Sequence, residues 1–247
     1  MLTPGIRAVA LRRYLAPLLL VLAFPAAADI DFSSLRAATK NAPAAGAAKA
    51  APASAAAAAK PAASAGETPE DWYRRAAALD RPNANAKALA SAAYWYRKAA
   101  DKGNTDAQVN LAAMYTLGRG VDLDGVEAAR LYRKAAEAGN VRAQYNLGVI
   151  YHLGQGITKD YADAIHWYES AARQGDANAM NNMAFMYGMG EGVTQSNVEA
   201  YVWFALAASR GNTDAAENRD LAASEMTPEE RRKAQERFAQ VEKQLGM

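Results

Sequence analysis

Few side chains in this sequence are equipped for covalent or acid–base chemistry. There is no cysteine, which removes thiolate nucleophiles, disulfides and cysteine-held metals. His152 and His166 are the only histidines. Neither recurs in its surroundings: the residues 36 positions away are Thr116 and Gly188 for the first, Arg130 and Val202 for the second. No nucleophile stands beside either, so both are expected to be surface side chains. No catalytic, cofactor-binding or metal-ligating residue is assigned. Paired glycines, Gly118–Gly120, Gly154–Gly156 and Gly190–Gly192, have the look of a phosphate loop. They follow helical rather than strand patterns and no Gly-Lys-Ser/Thr comes after them, so they read as turns. The one polar pattern left is Asn110, Asn146, Asn182 and Asn218, each 36 residues from the next. An amide offers a donor and an acceptor, the pair that a peptide backbone requires.

The elements that carry these residues are set by the same period. Residues 104–139, 140–175 and 176–211 are successive copies, the clearest being NVRAQYNLGVIYHLGQGITKDYADAIHWYESAARQG from Asn140 to Gly175. Gly103, Gly139, Gly175 and Gly211 keep register, as do Tyr115, Tyr151 and Tyr187, and Trp95, Leu131, Trp167 and Trp203. A fixed period of this size is the signature of a stacked helical repeat. Within the Asn140 copy, Ala143, Leu147, Ile150 and Tyr151 lay an apolar stripe on a first helix capped by Asn140. Gly154 and Gly156 reverse the chain. Asp160 with Asp163 starts a second helix, as Asp124 with Glu127 and Ser196 with Glu199 do in the sister copies; all are capping-box patterns or close to one. That helix buries Ala164, Ile165, Tyr168, Ala171 and Ala172 and ends at Gly175.

The pattern small–x–x–x–Leu-Gly–x–x–Tyr, Gly-x-Gly-Val/Ile–x–x–Asp, Ala–x–x–Trp-Tyr–x–x–Ala-Ala–x–x–Gly resembles the Sel1-like repeat, a relative of the tetratricopeptide repeat. The copies depart from it at Leu131, where the sisters have Trp, and at Met183-Ala184 in place of Leu-Gly. The resemblance implies an all-α, right-handed α-solenoid of helical hairpins. It spans residues 67–226: a divergent repeat over 67–103, full copies over 104–139, 140–175 and 176–211, and a partial one over 212–226. It also implies a non-catalytic interaction scaffold whose first helices line a concave groove. In that groove Asn110, Asn146, Asn182 and Asn218 would bind the backbone of an extended peptide. Val109, Tyr145, Asn181, Val149 and Phe185 beside them would set selectivity. The competing role for the asparagines is to bond between adjacent helices and hold the stack. The alternative function is a peptidoglycan- or β-lactam-interacting envelope protein or enzyme; secreted members of that kind are cysteine-rich.

The ends carry separate signals. Arg7, Arg12 and Arg13, the apolar run Leu15 to Phe24 and Ala26-Ala27-Ala28 read as a secretory signal over residues 1–28, cleaved between Ala28 and Asp29. Its apolar run is too short to span a bilayer, and the mature chain is expected in the periplasm or secreted. Residues 29–66 read as a disordered Ala/Pro/Lys-rich linker, with Pro43, Pro52 and Pro61 interrupting alanine. The 51% hydrophobic content therefore overstates the core. A net charge of +2 without a basic stripe argues against nucleic acid, so the expected partner is an envelope protein or peptide. Thr227-Pro228-Glu229-Glu230 opens a capping helix over 227–247, with Ala234, Phe238, Val241 and Leu245 at helical spacing. N-terminal sequencing of the exported protein is expected to begin at Asp29. Recovery of chains that retain Met1 would show an anchor instead.

Overall fold

The computed structural model describes residues 66–246; the signal segment and nearly all of the linker lie outside the described residues. Among the described residues there are ten α-helices and no strand. They are α1 (Pro69–Leu79), α2 (Ala86–Asp101), α3 (Thr105–Leu117), α4 (Gly125–Glu137) and α5 (Val141–Leu153). Then come α6 (Tyr161–Arg173), α7 (Ala177–Met189), α8 (Asn197–Ser209), α9 (Thr213–Ser224) and α10 (Pro228–Gln244). Helices α1 to α9 each pack on their neighbours in sequence, whereas α10 folds back onto α8. The chain is an all-α solenoid of helical hairpins.

Local chemistry sets each boundary. Asn104, Asn140, Asp176 and Asn212 cap α3, α5, α7 and α9, each accepting the amide of the third residue on. Reciprocal capping boxes form only at Thr68/Asp71 and Thr227/Glu230 among the described helices. At Asp124 and Ser196 the cap accepts its backbone amide, but the acid does not reach back. Glu127 binds Arg130 and Glu199 binds Arg237 instead, because a guanidinium offers a charge-assisted partner.

The two helices of a repeat have different burial. α4 hides one face, through Ala128, Leu131, Tyr132, Ala135 and Ala136. α5 is enclosed nearly all round: Gln144, Tyr145 and Asn146 are buried along with Ala143 and Leu147. The single stripe expected on the first helix is thus one part of a fully covered cylinder. The buried glutamines of the first helices donate to the preceding repeat. Gln108 Nε2 donates to the Ala100 carbonyl at 3.1 Å and Gln144 Nε2 to the Ala136 carbonyl at 3.2 Å. Those carbonyls lie in the last turns of α2 and α4, where each also accepts the amide of the glycine that follows, Gly103 and Gly139.

Consecutive repeats meet at the second glycine of each turn. A Cβ on Gly156 would sit 2.4 Å from Gly125 Cα, and Gly156 also has φ +76. The same contact recurs between Gly120 and Leu89 and between Gly192 and Tyr161. Gly156→Ala therefore combines a left-handed backbone with a backbone clash, and is expected to cost about 3 kcal/mol. Gly139→Ala, at φ +87 but with open space around it, should cost only about 1 kcal/mol. Urea unfolding of both variants measures the difference; equal losses would remove the inter-repeat contact from the account.

Candidate partner-binding surface

The residues expected to line a peptide groove sit mostly inside the stack. Asn110, Asn146, Asn182, Val109, Tyr145, Asn181 and Phe185 are buried, while Val149 and Asn218 are half-buried. Asn110 is committed to its own chain. Its Nδ2 donates to the Tyr96 hydroxyl at 3.1 Å and its Oδ1 accepts from Arg142 at 2.9 Å. These bonds join α3 to the helix before it and the first helix after it, which is the stack-holding role. Asn182 lies beside Tyr145 and Tyr168. Burial raises both phenol pKa values, and hydrogen bonding to Asn182 opposes that rise. Asn182 Nδ2 and Asn181 Oδ1 nevertheless have no hydrogen-bond partner in sound geometry. The four amides are therefore chemically unequal: Asn110 bridges repeats through both its atoms, whereas Asn182, with Asn181 next to it in sequence, leaves a buried polar atom unused.

A second asparagine series was not expected to bridge repeats. The amides that cap first helices also reach back 34 residues. Asn104 Nδ2 donates to Glu70 at 3.3 Å, Asn140 Nδ2 to Asp106 at 3.2 Å and Asn212 Nδ2 to Asn178 at 3.0 Å. The sequence signal was an acceptor at the second helical position of each preceding repeat.

His152 corrects the expectation of a surface side chain. It is 4% exposed, whereas His166 is exposed as expected. His152 Nε2 lies 2.7 Å from Glu191, the residue between the two glycines of the next turn, and Nδ1 lies 3.4 Å from the Tyr168 hydroxyl. Tyr161 donates to the other Glu191 oxygen at 3.3 Å. Two periods earlier, Arg119 occupies the Glu191 position and binds Asp80, the counterpart of His152, at 2.7 Å. The residue within the first and third glycine pairs thus reaches one repeat back. Histidine was misplaced because its partner is distant in sequence and differs in type between copies.

On the second-helix side, a shallow groove of about 450 Å³ lies between α4, the end of α5 and the loop that follows. Val126, Ala129, Tyr151 and Ile157 line it with Arg130 and Arg133. Another hollow of about 530 Å³ lies where α8, α9 and α10 meet, beside Tyr201, Arg219 and Phe238. Among the described residues no cluster of three or more His, Asp or Glu could hold a metal ion. No helix there is long and apolar enough to cross a membrane.

The periodic contacts now have a family counterpart. The Sel1 repeat profile matches residues 70–80, 87–104, 105–140, 141–176 and 177–212. The chain belongs to the Sel1 repeat family. Sel1 repeats in general serve as protein–protein interaction scaffolds rather than catalysts. Among solved structures, the chain is similar to c5321, a protective antigen of uropathogenic Escherichia coli with an SLR fold. The identity is 31% and the TM-score 0.64, over 71% of this chain and 38% of that one. It is also similar to a Sel1 repeat protein from Oxalobacter formigenes, at 34% identity and TM-score 0.56, over 60% of each chain. The chain thus spans less than two thirds of either structure. A search of curated proteins gives no match.

The His152–Glu191 contact generates a pH prediction. The hydrogen bond from His152 is the main reason that the Glu191 carboxyl titrates below its ordinary 4.5. A lowered carboxyl pKa contributes stability that is whole above the unfolded value and lost as pH falls through the folded one. Glu191→Gln is expected to lower unfolding free energy at neutral pH by about 1.5–3 kcal/mol, the range for a hydrogen bond to a charged group. Thermal melts of the two proteins should converge as acid protonates Glu191. A gap that persists through the acid range would assign the loss to packing.

Proposed function

We propose that this Sel1 repeat protein is a non-catalytic adaptor of the cell envelope that holds an extended segment of another envelope protein. The signal-like residues 1–28 support export, and the family supports a protein partner. The observation that carries peptide binding is the unused pair Asn181 Oδ1 and Asn182 Nδ2 on α7. A buried polar atom without a partner costs about 1–3 kcal/mol. A peptide backbone presenting N–H and C=O to that pair would remove the cost, provided that the inner face parts slightly to admit it. Asn110 does not contribute in this way, because Tyr96 and Arg142 already use its amide.

Crosslinking pull-down from envelope extracts tests the proposal, comparing the native chain with Asn181→Ala/Asn182→Ala and with Asn110→Ala. The α7 pair variant is expected to lose a protein partner while keeping its melting temperature or gaining a little. Asn110→Ala should be destabilised by about 1 kcal/mol and still recover the partner. Equal recovery from all three chains would reject the asparagine contact. Turnover of a β-lactam or muropeptide by the purified chain would overturn the adaptor reading itself.

A further inference from the structure

The second-helix side of the 104–139 repeat departs from its sisters in a way that stacking does not require. Leu123, in the loop before the cap of α4, and Val126, in its first turn, are 72% and 64% exposed. The residues one period on are Lys159 and Ala162, then Gln195 and Val198, the last half-buried. A polar or small side chain is therefore tolerated at this place in the fold. Val126 forms one wall of the groove whose floor is Ala129, Tyr151 and Ile157.

Charge along that groove is uneven. Glu127 neutralises Arg130 through both carboxylate oxygens, each at 2.7 Å. Asp160, at the far rim, turns one carboxylate oxygen onto the backbone amides of Ala162 and Asp163 as the cap of α6. Arg133 lies with its guanidinium 5.6 Å from the Tyr151 ring centroid and has no carboxylate partner among the described residues. Lys134 is exposed beside it. The result, among the described residues, is an apolar strip with an unpaired guanidinium, Arg133, at one rim and the capping carboxylate of Asp160 at the other.

We propose that this groove docks a short extended peptide of a partner protein, with a large apolar side chain followed by a carboxylate. The apolar side chain covers Val126 and Ile157, and the carboxylate pairs with Arg133 against Tyr151. Both halves of the recognition are needed. A polyanion would gain the cation and leave Leu123 and Val126 in water, whereas a basic segment would be repelled by Arg133 and Lys134. This surface is distinct from the α7 asparagine pair, so it goes beyond the inner-face reading and can fail independently of it.

Random dodecapeptides displayed on phage are selected on the purified full chain, and the enriched sequences are synthesised with a fluorescein label. Fluorescence anisotropy then compares the parent with Arg133→Glu, Val126→Asp, Asn181→Ala/Asn182→Ala and a charge control on α10, Lys243→Glu. Thermal melts confirm that each variant is folded; Val126 is exposed enough to be changed without disturbing the core. An enriched class pairing an apolar or aromatic residue with Asp or Glu is expected. Its Kd should weaken about 30-fold with Arg133→Glu or Val126→Asp and stay unchanged in the other two. Absence of that class, or binding indifferent to both groove changes, overturns the proposal. Peptides lost only with the asparagine pair would support the inner-face reading and overturn the groove. Peptides lost only with the groove changes support the groove and leave the inner face to the crosslinking result.

Discussion

Everything in this fold depends on how closely one repeat can approach the next. A helical hairpin of two 13-residue helices, such as α5 and α6, cannot cover its own apolar residues. The turn of each repeat is pressed against the start of the preceding repeat's second helix, with Gly156 against Gly125 at backbone contact. That approach fixes the offset between repeats. Once the offset is fixed, side chains a set number of residues apart face each other at every junction. The amide of Gln144 finds the end of α4, the cap Asn140 finds Asp106, and Glu191 finds His152. The periodic bonds are consequences of the glycine contact and also lock it in place.

This arrangement puts the polar chemistry of the chain mostly to structural use. Tyr96, Asn110 and Arg142 form a continuous bonded path across three consecutive repeats. The aromatic and alanine positions around them, Tyr132, Tyr168, Ala136 and Ala172, are fully enclosed. What the stack leaves for other molecules is irregular by comparison: an unused donor and acceptor on α7, and an exposed apolar strip at the start of α4. Irregularity within a regular scaffold is where recognition can differ from one member of a repeat family to another.

The helices, their caps and the repeat register were legible in the sequence because each depends on residues within one hairpin. Asn140, Gly154, Asp160 and Gly175 announce their elements through local backbone chemistry. Site residues were harder to read. Whether Asn110 faces a groove or a neighbouring helix depends on Tyr96 and Arg142, which belong to other repeats. Burial of His152 depends on Glu191, in a turn that carries Arg119 in one sister and Gln155 in the other. A period identifies equivalent positions, but it does not say that equivalent positions have equivalent partners.

The two charged junctions differ in one further respect. Asp80 is desolvated, and its carboxyl titrates above the ordinary range despite Arg119; Glu191 titrates below it because of His152. Acid therefore relieves a penalty at the amino-terminal junction and removes a bond at the carboxyl-terminal one. Lowering the pH thus weakens the junction between the 140–175 and 176–211 repeats without the same loss at the amino-terminal one, so the two ends of one stack carry different tolerances to acid.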